Sequence, residues 1–297
     1  GSSSAGQGKV FYNYQMTTQK IANLPQVMNA EQYMEYVVTS GAVKMEDFQY
    51  DGVTDTYWGD YMFETGYMKR HTVGFEGGNE RGSLYVSLNY LDNNGIITGE
   101  KDIYNRLTGQ INADYKVKDW LTIGTTTSIE KSETNTVSEG SVPNISVLGS
   151  IMVYDPITPW IYTPGQEPDR VKVWESQGQR LPRDPDGNIY GVSVFSGNTL
   201  IWHPAIMRDR TDTDNKNFNV RGTGFVNLMP IKGLTITSRF GYRAGYSQTS
   251  NYNYPLYVNS TANQAMSING RADNNLYYQW ENFATYMVNI KGHDLNA

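Results

Sequence analysis

The chain has 297 residues, of which 38% are hydrophobic and 13% aromatic, with 23 Tyr, 29 Gly and a formal charge of −6 at pH 7. That charge argues against a nucleic-acid surface, which needs clustered Lys and Arg. The absence of Cys excludes a disulfide framework, a thiolate zinc site and a Cys nucleophile. No run approaches about eighteen consecutive apolar residues, so no transmembrane helix is expected, which leaves crossing by β-strands open.

In chain order, residues 1–9 read as a flexible Gly/Ser lead with no basic-then-apolar signal pattern. Val10 to Gln15 alternates as a first strand. Asn29 followed three residues later by Gln32 predicts a helix start, with Tyr33, Met34, Tyr36 and Val37 at helical spacing and an end near Gly41. Glu46 to Thr65, which includes Trp58, reads as irregular. A second strand spans about Met68 to Glu76 and turns at Gly77-Gly78-Asn79-Glu80.

The clearest alternation follows. Leu84, Val86, Leu88 and Tyr90 interleave with Ser83, Tyr85, Ser87 and Asn89. Leu107, Gly109, Ile111, Ala113 and Tyr115 interleave with Arg106, Thr108, Gln110, Asn112 and Asp114. After a Lys116–Asp119 turn, Leu121, Ile123 and Ile129 oppose Thr122, Thr126, Ser128 and Glu130. Strict period two over this length puts one face against an apolar medium and the other against water. Such strands exceed the usual globular length and suit the ten or so tilted residues that cross a bilayer.

Glu133 to Asn215 is a long insertion holding eight of the eleven prolines, seven from Pro143 to Pro185 and Pro204, which argues against regular strands. Alternation returns at Asn217–Leu228 and, after Met229–Gly233, at Leu234–Tyr246. A polar loop covers Asn251 to Asp273, and an eighth strand runs from about Leu276 to Ile290. Lys291-Gly292 turns into a ninth strand beginning at His293. Connections alternate between tight and long. Aromatics gather at both ends: Tyr115 and Trp120 at a tight turn, Tyr90, Tyr104, Tyr242 and Tyr246 toward the loops. Short turns on one side, long loops on the other and two aromatic girdles are the pattern of an outer-membrane barrel. The expected fold class is all-β: about eight antiparallel transmembrane strands of a larger barrel, long extracellular loops at about 17–66, 133–215 and 249–275, and one short helix.

These residues resemble the SusC/RagA-like family of TonB-dependent outer-membrane transporters. The resemblance is carried, in order, by Ala30-Glu31-Gln32-Tyr33, Gly77-Gly78-Asn79-Glu80, Tyr85-Val86-Ser87, Tyr90-Leu91, Gly95-Ile96, Tyr104 with Arg106, Trp120-Leu121 with Gly124, and Lys291-Gly292-His293-Asp294-Leu295. It implies a 22-stranded barrel around a plug, a TonB-contacting segment, and a SusD-like surface lipoprotein partner. It also implies import of glycan oligosaccharides or peptides across the bacterial outer membrane. On that reading residues 1–9 end a plug region, residues 10–297 begin the barrel, and the TonB contact lies outside this chain. The family more often has an acidic residue beside the Trp where this chain reads Thr56-Tyr57.

Few residues carry a pattern of catalytic or metal-binding chemistry. Gly6-Gln7-Gly8-Lys9 fails as a phosphate loop, because Val10 stands where a hydroxyl is needed and Ser3 where the first Gly is needed. Asp184-Pro185-Asp186-Gly187-Asn188 has calcium-loop flavour, but Ile189 and Phe195 replace the required Gly and Glu, so a turn is expected. His71, His203 and His293 have no second His at metal-pair spacing, and no Gly-x-Ser-x-Gly elbow exists. No enzyme activity, cofactor or metal is expected. Lumen-facing candidates by position are Arg106, Gln110, Asn112, Asp114, Asn219, Arg221, Arg239 and Arg243. Trp160, Tyr162, Trp174, Tyr190 and Trp202 are candidates for contact with ligand or partner in the loops. Packing of the long loop on itself is the competing role for them. The alternative to a transporter is a soluble or surface-attached β-rich carbohydrate-binding or adhesion protein.

Overall fold

The computed structural model describes residues 8–41, 50–137, 146–178, 181–194, 202–258, 261–263, 266–290 and 293–296. Its frame is one nine-stranded antiparallel sheet. The strands in chain order are β1 (Lys9–Gln19), β2 (Gly66–Asn79), β3 (Gly82–Asn94), β4 (Ile103–Lys118), β5 (Leu121–Asn135), β6 (Thr211–Ile231) and β7 (Leu234–Asn253). Then come a small hairpin, β8 (Leu256–Val258) with β9 (Thr261–Asn263), and finally β10 (Ser267–Ile290) and β11 (His293–Asn296). Every long strand pairs with its sequence neighbour, so the sheet is a meander broken only by the β8–β9 hairpin. The ninth strand expected from His293 is β11, paired with β10; the Lys291-Gly292 turn lies outside the described residues. The last long loop is shorter than the sequence implied, because β7 continues to Asn253 and β10 already starts at Ser267. Polar alternation there is carried by Asn, Ser and Thr, which weakens the hydrophobic signal without preventing pairing (Asn251 faces Asn269, Thr249 faces Arg271).

Register turns the sequence alternation into two faces. One row runs Val10–Phe75–Val86–Ile111–Thr127–Gly222–Tyr242–Tyr278 across eight strands. The next runs Tyr12–Val73–Leu88–Gly109–Ile129–Val220–Ala244–Leu276. The apolar rows extend from Leu228 and Ile236 near the tight turns to Phe218 and Tyr246 near the loops. Ten steps along β6 at about 3.3 Å each, tilted by about 45°, give a band roughly 23 Å tall, close to the ~25 Å band of a membrane barrel. Large apolar side chains on this face stand open, Leu276 at 73% and Trp280 at 70% exposure. The few polar tips within the band pair with one another: Thr127 Oγ1 lies 3.1 Å from the Tyr242 hydroxyl and 3.2 Å from Thr125 Oγ1.

The Gly and Tyr richness has a packing cause. Phe11 lies across Gly74, Phe225 across Gly124 and Tyr242 across Gly222, each a directly opposed cross-strand pair. A Cβ at Gly222 would stand 2.7 Å from both the Tyr242 and Thr127 oxygens. A ring covering a bare backbone on the neighbouring strand fills the pleat and fixes register. Tight turns close β2–β3, β4–β5 and β6–β7. Gly233, at φ +86°, takes the left-handed position of the β6–β7 turn.

The girdles need one correction. Tyr90 and Tyr246 share a row with Tyr14, His71 and Phe218 at the loop end of the apolar face. Tyr104 sits on the opposite, polar face, paired with Asn93 and Thr134, and Tyr242 lies inside the band. Parity decides this: Tyr104 is an odd number of residues from Leu107, so the pleat turns it inward.

The loops are not structureless. Helix α1 (Ala30–Thr39) begins with the expected capping box between Asn29 and Gln32. Helices α2 (Trp58–Met62), α3 (Val147–Val153), α4 (Asp169–Ser176) and α5 (Pro204–Asp209) also lie in the loops. The irregular stretch expected from Glu46 lies outside the described residues up to 49, and its later part contains α2.

Candidate functional site

The strands carry a polar wall. Arg106, Gln110, Asn112, Asp114, Asn219, Arg221, Arg239 and Arg243 all fall on the face opposite the apolar band. The register row Ser87–Gln110–Ser128–Arg221–Arg243–Tyr277 contains three of them, and Asp114–Gly124–Phe225–Arg239–Glu281 two more. This face is concave. A trough of ≈ 1090 Å³ is lined by Gln110, Arg221, Arg239, Arg243, Tyr277 and Glu281 among others. A neighbouring one of ≈ 600 Å³ is lined by Gln110, Asn112 and Asp114 with Tyr85 and Phe225. Period two places these residues together, because a curved sheet gathers one parity from every strand on its inside.

Charges on the wall are partly matched. Arg106 lies 4.0 Å from Glu130 and its guanidinium sits 5.9 Å over the Tyr104 ring. Arg239 lies 3.7 Å from Glu281 and 5.5 Å over Phe283. Asp114 accepts from Ser83. The Asn112 carbonyl oxygen is buried and has no hydrogen-bond partner. The wall offers amide, hydroxyl and guanidinium groups, which suit reversible polar contact.

At the loop end, three connections fold into one module. The β1–β2 and β5–β6 loops are stitched by Thr56 N donating to Pro156 O at 2.8 Å and Thr56 Oγ1 donating to Thr158 O at 2.7 Å. The β3–β4 loop joins through Glu64 N to Ile96 O (2.8 Å), Thr98 N to Met62 O (3.1 Å) and Arg208 to Thr98 Oγ1 (2.7 Å). Trp58, fully buried, donates its indole N–H to Asp155 O at 3.1 Å. Its ring meets Tyr154 and His203 edge-on, each at 4.9 Å.

His203 is the hinge of the aromatic cluster. Its Nδ1 accepts from Ala205 N at 3.1 Å, capping α5, so its proton sits on Nε2 and is donated to Trp160 O at 3.0 Å. Burial pushes its pKa down to about 3, so it is neutral here. Burial also raises Asp155, which accepts from Thr158 Oγ1 at 2.7 Å. A second cluster, of Tyr162, Val171, Leu181, Ile189 and Val192, is tied to the first by two tyrosine hydroxyls. Tyr162 accepts from Val192 N and donates to Val192 O, both at 3.0 Å. Tyr154 accepts from Ser193 N at 3.1 Å and donates to Gly191 O at 3.0 Å.

The five loop aromatics are therefore placed by packing. Tyr162 and Tyr190 are buried, and Trp174 is half-buried against the Tyr162 cluster. Trp160 is half-buried and stacks on Tyr61 at 4.8 Å. Trp202 packs beside Tyr190, with the Arg210 guanidinium 4.6 Å over its ring. Sequence reasoning missed Trp58 and His203 as organising residues. Their only local signals were an aromatic in an acidic stretch and a His before Pro204, where the first turn of a helix favours Pro. The Asp184–Asn188 segment is a hairpin tip: Asp184 accepts from the backbone and side chain of Asn188 at 2.8 and 2.9 Å.

Fold and polar wall together define a stretch of transmembrane barrel. No family model matches the chain. It is 24% identical over 230 residues to the TonB-dependent receptor P39 of Formosa agariphila, a match covering 76% of this chain and 18% of that receptor. Solved structures of the RagAB peptide importer superpose in its "closed-closed" state (TM-score 0.72, 18% identity) and its "open-open" state (TM-score 0.74, 17% identity). Each match covers 99% of this chain and 34% of the solved one, so the chain spans about a third of those proteins. The chain has the fold of about a third of those solved chains and is similar in sequence to part of a TonB-dependent receptor, which supports a partial SusC/RagA-like barrel. Its named relatives are receptors and importers.

Proposed function

We propose that this chain supplies part of the wall and mouth of a TonB-dependent importer in a bacterial outer membrane. The importer takes up oligomeric nutrients with a SusD-like lipoprotein at its mouth. The observation that carries this reading is the pairing of an exposed apolar band with a concave polar face on the same strands. A soluble carbohydrate-binding or adhesive sheet would bury that band in a second layer. The wall is scaffold and lumen surface, the loop module shapes the entrance, and neither is an enzyme. Between glycan and peptide, the peptide reading is favoured by the fold shared with a peptide importer and by the arginines, amides and aromatics of the wall.

The test is to purify the full-length receptor in detergent from its native membrane and identify what accompanies it by mass spectrometry. The expected result is a lipoprotein at one-to-one ratio together with bound peptides. A receptor that fractionates without detergent in the soluble compartment would sink the reading.

A further inference from the structure

We propose that Arg221 and Arg243 form a carboxylate-binding site in the concave wall. The two are directly opposed cross-strand residues on β6 and β7. Their Cβ atoms are therefore about 4.5–5.5 Å apart, a spacing at which like charges repel. Other wall arginines are matched: Arg106 by Glu130 and Arg239 by Glu281. Among the described residues neither Arg221 nor Arg243 has an ion-pair partner within 4.0 Å. Glu130 is the acid diagonal to Arg221, and it already serves Arg106.

The surroundings leave room and add donors. Both side chains project into the trough, beside Ser128 and Tyr277 in the same row. On the strand of Arg243 the same-face neighbours are Gly241, which leaves one flank open, and Gly245, over which the Asn275 and Asn219 side-chain amides lie as further polar groups. Two planar guanidinium forks around a space bordered by hydroxyls match an organic carboxylate, which accepts through both oxygens. An anion between them also removes the repulsion that the empty pair carries. The inference rests on the importer reading for where the carboxylate comes from. It is either a carboxylate of the imported oligomer or one belonging to another segment of the longer receptor chain that reaches this wall.

The test uses the full-length receptor in detergent, wild type against R221Q, R243Q and the double variant, with tetraglutamate and tetraglutamine, both amidated at the C-terminus, as probes. An imported carboxylate predicts that wild type binds tetraglutamate about tenfold or more tighter than tetraglutamine at low salt. The ratio shrinks as salt rises and falls to about one in the double variant, with tetraglutamine affinity unchanged. A carboxylate from the receptor itself predicts no discrimination between probes, but a lower thermal midpoint for the unliganded double variant. Removing repulsion alone would instead raise that midpoint. Equal or absent binding of the probes, with a midpoint that stays or rises, overturns the site. Equal binding of both peptides would still leave the importer reading standing, so the two failures are distinguishable.

Discussion

Wall and loop module bury their apolar residues in opposite ways. In the wall, Leu276, Tyr278 and Trp280 face outward at 73, 67 and 70% exposure, while Arg, Asn and Gln line the inside. In the module, Trp58, Met62 and Val171 are buried to 1% or less, Arg208 is paired with Asp209, and the buried Asp155 carboxyl is held by the Thr158 hydroxyl. One chain thus follows two solvent rules. The strands obey a bilayer, where the core sits outside the sheet. The loops obey water, and gather around their own aromatics like a small globular domain. An exposed apolar face is the rule in the first, whereas in the second the residues that hold the fold are the buried ones.

The largest effect that separates the two regions comes from Trp58→Ala. Truncating a fully buried Trp costs about 3–5 kcal/mol, and its ring meets Tyr154 and His203. The module should become protease-sensitive across residues 146–210 while the barrel keeps its heat-modifiable gel mobility. Loss of both together would show that wall and module are a single cooperative unit.

Next is a charge placed at mid-height of the band. Ile111→Arg on the outer face should cost about 2–4 kcal/mol in a bilayer, whereas Thr126→Arg on the polar face should stay within about 0.5 kcal/mol. Ile111 pairs with Thr127 and Val86 on the apolar side, and Thr126 lines the trough. Reversible unfolding into and out of lipid vesicles measures both, and equal costs would contradict the assigned faces.

A smaller, pH-dependent effect belongs to the module. His203 titrates near 3 in the fold and near 6.5 when unfolded. Its folded value is depressed, so its stabilisation is full above pH 6.5 and is lost as pH falls toward 3. The slope is about 1.4 kcal/mol per pH unit, to order of magnitude. Asp155, raised by burial, works in the opposite sense as pH falls. The comparison must therefore be wild type against His203→Asn, which keeps a capping oxygen and removes the imidazole. Amide exchange in α5 should show the difference between the two shrinking below pH 6.5. A constant difference between pH 7 and 5 would mean that His203 is not held neutral.

The smallest effect expected is at α1. Asn29→Ala removes the side-chain oxygen that accepts from Gln32 N, while the backbone N–H that donates to Gln32 Oε1 stays, and should cost about 1 kcal/mol. Faster amide exchange confined to Ala30–Tyr33, with Trp58 fluorescence unchanged, would mark α1 as separable from the buried cluster.

Much of the wall was legible in the residues. Leu84, Val86, Leu88 and Ile111 announced their face because a strand's side-chain period is two and needs no distant information. The same reasoning gathered the eight lumen candidates on one surface. It failed where the signal was not hydrophobic, as in the Asn/Ser/Thr-rich ends of β7 and β10. It also failed where an aromatic was assigned by its position along a strand and not by parity, as for Tyr104. In the long loop the sequence supplied ingredients (prolines, Trp160, Tyr190, a Val147–Tyr154 apolar run) but no period from which to assemble them.

The sequence by itself determined that this chain forms long amphipathic antiparallel strands with tight turns on one side and large loops on the other. Those features follow from neighbours a few residues apart. Tertiary structure alone decided that three loops become one module, that Trp58 and His203 organise it, and that Arg221 meets Arg243. The contacts responsible join Trp58 to Asp155, Thr56 to Thr158 and Arg208 to Thr98, about a hundred residues apart in the chain. No local periodicity encodes such pairings. They depend on the sheet's register, which brings the loop ends together, and on burial of the aromatics those loops carry.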